Sequence, residues 1–233
     1  MTKEKFGVLG TTVACAALLI TGISVSSPRG KADDRGNASD SRIEQGFDIA
    51  PAPLNLVGKN RALVGLGSYI VNAVGDCNGC HSAGTATEFA SGGNPYFRIP
   101  PFSGTVEIAQ ANYLGGGRDF GPFGGQLPHL YSRNLTPDKT GMPAGGHTYA
   151  EFVEIMRHGT DFDHVHPNCT APGVPANCLQ PPFNGDLLQV MRWPFFRNMT
   201  DTELRAIYEY LSAIPCNPGK VIAGAPYLQN ECE

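Results

Sequence analysis

The chain has 233 residues, with 17 Lys and Arg against 21 Asp and Glu, and a formal net charge of −4. No basic cluster interrupts that balance, which excludes nucleic acid as a partner on charge grounds. The length allows one domain of ordinary size, and 29 Gly with 19 Pro place much loop inside it.

At the N-terminus, Lys3 and Lys5 precede an apolar run over residues 6–25, closed by the small residues Ser24 and Ser26. This is the layout of a secretory signal, residues 1–26. The same run is long enough to stay as an uncleaved anchor. Thr12-Val13-Ala14-Cys15 also resembles a lipobox, with Cys15 as the modified residue, so three fates remain open. Residues 27–53 are polar and small and read as a flexible tether. Residues 54–233 form the domain.

Leu63, Leu66, Ile70, Val71 and Val74 recur at helical spacing and predict a helix over 59–74, ending at Gly75. Gly67 inside it costs about 1 kcal/mol against alanine. It would let Tyr208 or Leu211 of a later helix come close. Cys77-Asn78-Gly79-Cys80-His81 follows. Two thiols on one turn can add to the two vinyl groups of one porphyrin, and the adjacent imidazole then serves as an axial iron ligand. The other uses of this pattern are a thiol–disulfide pair and half a zinc site. Zinc needs further ligands, and no second C-x-x-C exists. One motif implies one covalent haem c, held by Cys77 and Cys80 with His81 on the iron.

From residue 82 to 137 the chain is broken by Gly92-Gly93, Pro100-Pro101, Gly115-Gly116-Gly117 and Gly124-Gly125, which predicts loop with room for one small β-hairpin. Thr148 and Glu151 form a capping box ahead of Phe152, Ile155 and Met156, and Gly159 stops that helix. Asp161, Asp163, His164 and His166 have metal-like spacing but no second group of ligands, so they read as a solvated polar loop. A second capping box, Thr200 and Glu203, starts a helix carrying Leu204, Ile207, Tyr208 and Leu211, which ends before Pro215. Cys169, Cys178, Cys216 and Cys232 remain, an even number suited to disulfides. Local pairing gives Cys169–Cys178 and Cys216–Cys232; two other pairings stay open. The fold class is mostly α, with the last helix packed on the first.

The second axial position has several candidates. Met199 precedes a cap and suits a hydrophobic staple. Met156 suits a buried stripe, and Met142 sits in a turn. His129, His147, His158, His164 and His166 read as surface or structural residues, with His158 the best of them as a ligand. Met191 has no structural role of this kind and lies on a loop ahead of the last helix, so it is the residue chosen. A thioether there raises the potential, and a six-coordinate iron favours electron transfer over chemistry.

The order helix, Cys77-x-x-Cys80-His81, loop, methionine, helix resembles a class I c-type cytochrome. Ser132-Arg133-Asn134-Leu135-Thr136-Pro137-Asp138 with Thr140-Gly141 resembles a segment of the cytochrome domains that serve bacterial membrane-bound alcohol, aldehyde and sugar dehydrogenases. So do Phe152 through Arg157-His158-Gly159, Met191-x-Trp193-Pro194, Met199-Thr200-Asp201 and Tyr208-x-Tyr210-Leu211. The likeness covers residues 63–216. It implies a cytochrome c-like fold around one haem with a long loop insertion, and Met191 as the second ligand, although Arg192 stands where those relatives carry proline. Arg133 and Trp193 are placed near the propionates. The implied function is electron transfer, not catalysis, in the periplasm or after export. The partners would be a protein donor and acceptor, a membrane-bound dehydrogenase among them, with membrane association through the N-terminus. Two other functions remain to be tested: a peroxidase-like enzyme or gas sensor with an open sixth site, and a structural or assembly component.

Overall fold

A computed structural model describes residues 34–91, 93–96, 106–122, 128–171 and 177–233, with side chains from residue 41 onward. The segment read as a signal or anchor, residues 1–26, lies outside them. The elements are α1 (Asp34–Asp48), α2 (Arg61–Tyr69), α3 (Cys77–His81), α4 (Thr85–Glu88), β1 (Asp119–Pro122), β2 (His129–Tyr131), α5 (Pro143–Gly146), α6 (Tyr149–His158), α7 (Trp193–Phe196) and α8 (Asp201–Leu211). The described residues are thus mostly helical with one small antiparallel β1–β2 sheet, inside the stretch predicted as loop with room for a small β-hairpin.

The long helices start where their side chains cap them. Asn60 accepts the Leu63 N–H to open α2. Thr148 and Glu151 form a reciprocal capping box on α6, and Thr200 and Glu203 form one on α8. Gly159, at φ +74°, closes α6 in the left-handed region that glycine adopts without strain.

Residue size decides how α2 meets its neighbours. A Cβ on Gly67 would lie 1.9 Å from the Ala206 carbonyl oxygen and 2.7 Å from Cβ of Tyr210, so the helices touch backbone to backbone. The close approach predicted at Gly67 therefore exists, but against Ala206 and Tyr210 rather than Tyr208 or Leu211. Positions 206 and 210 are one turn apart on the α8 face that meets α2. About 200° round α2, Gly65 meets Gly46 of α1 in the same way, where a Cβ on Gly46 would lie 1.9 Å from the Gly65 oxygen. Ser68 Oγ donates to the Gly46 oxygen at 2.6 Å, and the Arg61 guanidinium sits 4.1 Å from the Phe47 ring centroid. Residues 34–48, within the stretch predicted as a tether, are therefore helical. Their apolar signal is confined to Ile43, Gly46 and Phe47, too short to outweigh the polar residues before it.

The first predicted helix continues past Tyr69 as a π turn, Ile70–Val74, and the Gly75 N–H donates to the Ile70 oxygen at 2.7 Å. The wider turn breaks the 3.6 period. Val74, counted in the apolar stripe, ends up 62% exposed, while Val64 is fully buried with Val71. Leu114, Leu204, Tyr210 and Leu211 complete the centre of the core. Three of the polar side chains packed into it satisfy one another: the Tyr113 and Tyr210 hydroxyls lie 2.8 Å apart and both meet Asn72.

The remaining chain is held by other means. Asn134 Nδ2 donates to the Asn217 carbonyl at 2.8 Å while its Oδ1 accepts from the N–H and hydroxyl of Thr136. The cysteines pair locally, Cys169–Cys178 and Cys216–Cys232. Residues 35–233 form one compact unit. Among the described residues, no helix is long and apolar enough to cross a membrane.

Candidate functional site

The Cys77–His81 turn is positioned from both ends. The π turn delivers it through Asp76, which takes a left-handed conformation at φ 46°. At its far end the orphan helix carbonyls meet donors from the next loop: the Gly116 N–H donates to the His81 oxygen at 2.7 Å, and the Arg118 guanidinium donates to the Gly79 oxygen. Gly116 is required there. It has φ +71°, and a Cβ would come within 2.6 Å of the Arg133 and Asn134 backbone. Asn78 Oδ1 accepts the Leu114 N–H at 3.0 Å, tying the turn to the core.

His81 Nδ1 lies 2.8 Å from the Arg133 carbonyl oxygen. A carbonyl only accepts, so Nδ1 carries the proton and Nε2 keeps its lone pair, the arrangement that orients a metal-ligating imidazole. Burial pushes the His81 pKa down, favouring the neutral ring. Burial, with Asp76 and Cys80 adding to it, pushes the Cys77 thiol up to about 12. Cys80, one turn on, is exposed, and both thiols are free of disulfides.

Cys77, Cys80 and His81 open into a cavity enclosing about 1610 Å³ of space free of protein atoms, counted out to open solvent. Ile70, Val71, Leu130, Phe152, Ile207 and Leu211 contribute to its apolar wall. Arg133 is its notable polar member. Its Nη2 donates to Asp161 Oδ1 at 2.7 Å, its Nε lies 3.5 Å from Asp163, and its Nη1 is buried with no hydrogen-bond partner among the described residues. A buried unpaired donor is costly. Such a donor on the wall of a cavity that also carries two thiols and a neutral imidazole fits an anionic edge of a porphyrin. The chain's residues therefore fit a covalently attached haem.

Most of the predicted site residues converge here. Cys77, Cys80, His81, Arg133 and Met191 all line the cavity. Trp193 is not among its lining residues. Its ring lies over Gly159, where a Cβ would come within 2.3 Å of Nε1, and its Nε1–H donates to the Leu188 oxygen at 3.1 Å. Three methionines reach the wall, Met156, Met191 and Met199; Met142 does not. Met156 is 5% exposed on α6, whereas Met191 is half-buried on the loop before α7. His147 and His166 also line the cavity, while His129, His158 and His164 face Asp119, Glu154 and Asp186.

Asp161 and Asp163, read as a solvated loop, are the partners of Arg133. Tyr227, which the sequence did not single out, lines the cavity with its ring centroid 4.6 Å from Arg133 Cζ. The disulfide-closed tail around it was the available signal. Among the described residues, no group of three or more His, Cys, Asp or Glu is placed to hold a metal ion.

Curated proteins similar to the chain include the gluconate 2-dehydrogenase cytochrome c subunit of Pantoea cypripedii, 30% identical over 152 residues, 65% of this chain and 23% of that one. The cytochrome c subunits of the quinone alcohol dehydrogenases of Gluconacetobacter polyoxogenes and Komagataeibacter europaeus are each 29% identical over 149 residues, 64% of this chain and 21% of theirs. The chain spans less than a quarter of the length of these curated relatives. No family model matches it, and no solved structure does. The likeness to cytochrome c subunits of dehydrogenases, read first from the motifs, is thus found in curated relatives over nearly two thirds of the chain.

Proposed function

We propose that the chain is a monohaem c-type cytochrome, attached through Cys77 and Cys80, with His81 and Met191 as axial ligands. It passes electrons outside the cytoplasm, as a carrier or as the electron-accepting subunit of a dehydrogenase. The observation that carries the reading is the cavity on which the two thiols, the Nδ1-anchored imidazole and the unpaired Arg133 Nη1 converge. When bound, the haem supplies one-electron chemistry between ferrous and ferric iron.

The protein's part follows from the residues. The Arg133 carbonyl fixes the His81 tautomer, and the Arg133 guanidinium offers its free N–H to a propionate. The apolar walls exclude water, and together with a thioether ligand this raises the potential. Met191 is preferred over Met156, whose sulfur is buried on α6, and over Met199, which is also half-buried outside a helix but directly precedes the Thr200 cap of α8. The two disulfides support an oxidising compartment, in agreement with the N-terminal apolar run.

The purified oxidised protein should show a sulfur-to-ferric charge-transfer band. Met191→Ala should remove the band and lower the potential, while Met156→Ala and Met199→Ala keep it. Retention of the band in Met191→Ala would refute the ligand assignment. A high-spin ferric spectrum with rapid carbon monoxide binding in the unmutated protein would instead support the open-site enzyme or sensor. Cys77→Ala/Cys80→Ala should abolish covalent haem.

A further inference from the structure

The tail after α8 carries no helix of the frame, yet it is among the most constrained parts of the chain. Cys216–Cys232 closes it, the Asn230 N–H donates to the Pro218 oxygen at 3.1 Å, and Asn230 Nδ2 donates to the Thr136 oxygen at 2.9 Å. Ala225 and Leu228 anchor it at 2% and 0% exposure. Between these anchors the short 3-10 turn Pro226–Leu228 sets Tyr227 on the cavity wall, over the Arg133 guanidinium.

That guanidinium has carboxylates on one side, Asp161 at 2.7 Å and Asp163 at 3.5 Å, a ring near its face, and one buried N–H without a partner among the described residues. Ion pairs alone would draw it toward Asp163, which is 38% exposed at its side chain, and toward water. The ring favours the opposite placement, because a planar cation gains from an aromatic face and loses solvent beneath it. Burial raises the Tyr227 pKa above its ordinary value, so the ring stays a neutral phenol.

We propose that Tyr227 is a positioning residue: held by the disulfide-closed tail, it keeps the Arg133 guanidinium against the cavity and so sets the midpoint potential. The proposal rests on the haem reading above. A cation fixed in a low-dielectric wall disfavours the extra positive charge of ferric iron, and the same cation released to solvent is screened. Tyr227 therefore acts through Arg133, by fixing where its charge sits.

The test is the midpoint potential of the haem-loaded full chain in Tyr227→Ala, Tyr227→Phe, Arg133→Gln and the Tyr227→Ala/Arg133→Gln double variant. Tyr227→Ala should reduce the equilibrium constant for reduction about tenfold, ~59 mV for a one-electron couple, with the charge-transfer band unchanged. Tyr227→Phe should restore most of that shift, and Tyr227→Ala should add nothing once Arg133 is glutamine. A shift of equal size with and without the arginine, or no shift in Tyr227→Ala where Arg133→Gln has one, overturns the proposal alone. No shift in Arg133→Gln overturns the propionate assignment and the proposal with it, while the haem and its ligands still stand on their spectra. Should Tyr227→Ala fail to accumulate, Tyr227→Leu, which keeps bulk without the π face, carries the same expectations.

Discussion

Two regions of this molecule are built on different principles. The helical frame of α2, α6 and α8 is held by apolar burial and, between α2 and α8, by close backbone contact, while its polar groups cap the helices or pair inside the core, as Ser68 and Tyr210 do. Residues 113–122 and 128–137 and the tail from Cys216 onward are held by asparagine side chains, backbone ties and a disulfide. The frame supplies part of the apolar wall of the cavity through Phe152, Met156, Ile207 and Leu211. The loops supply what the site needs for charge and direction: the carbonyl that orients His81, the Arg133 guanidinium and the Tyr227 ring. Burying charge requires partners placed individually, and irregular backbone can place them where a repeating helix cannot.

The contrast is broken most severely by opening the tail. Cys216→Ser/Cys232→Ser releases a loop with a sequence separation of 16 residues and should lower stability by about 3 kcal/mol. Denaturant unfolding measures this. Far-UV helicity should hold while the potential moves, because the frame does not depend on the tail. A parallel loss of helicity would show that the two regions are not separable. Next comes Gly67→Ala, which strikes the frame alone. Overpacking against the Ala206 carbonyl should cost about 3 kcal/mol, offset by about 1 kcal/mol of helix propensity. A net loss of about 2 kcal/mol, read from the denaturation midpoint, is expected. An increase in stability would mean that α2 and α8 can part without penalty.

The same contrast explains what the sequence disclosed. Periodicity and capping boxes are local signals, so α6 and the start of α8 were readable to within a residue, although α8 stops at Leu211, short of Pro215, and the Cys77–His81 turn was readable from spacing alone. Gly67 announced a helix crossing but not its register, because which residue of α8 faces it depends on how the two axes meet. Ser68, Asn72, Tyr113 and Tyr210 gave no warning, since a hydrogen-bonded cluster drawn from three separate segments has no period. Arg133 was reached through a motif, and the burial of Asp161 against it was missed because the cation lies 28 residues earlier, while Asp163 is exposed as a solvated loop implies. Tyr227 was invisible for a related reason. Its role comes from the loop that carries it back to the cavity, and only the cysteine spacing recorded that loop. The packing of Trp193 over Gly159 was not legible because a glycine makes room for a ring only in three dimensions.

Within the frame, the caps are the smaller levers. Thr148→Ala removes the acceptor for the Glu151 N–H and should cost about 1 kcal/mol, a change in midpoint without a change in slope. The weakest effect lies in the other half of that box. Glu151 accepts from the backbone N–H and the hydroxyl of Thr148, both at 2.8 Å, which hold its carboxyl below its ordinary value of 4.5. A depressed pKa in the folded state means that the unfolded chain binds the proton more readily. The contribution of Glu151 is therefore fully present above pH 4.5 and is lost as pH falls through the lower folded value. Glu151→Gln keeps an acceptor but no charge, so its stability should converge with the parent only below that window. The unfolding midpoint of both proteins, followed from pH 6 to pH 3, measures it. A gap that stays constant across the range would assign the cap's contribution to hydrogen bonding and shape rather than to the carboxylate charge.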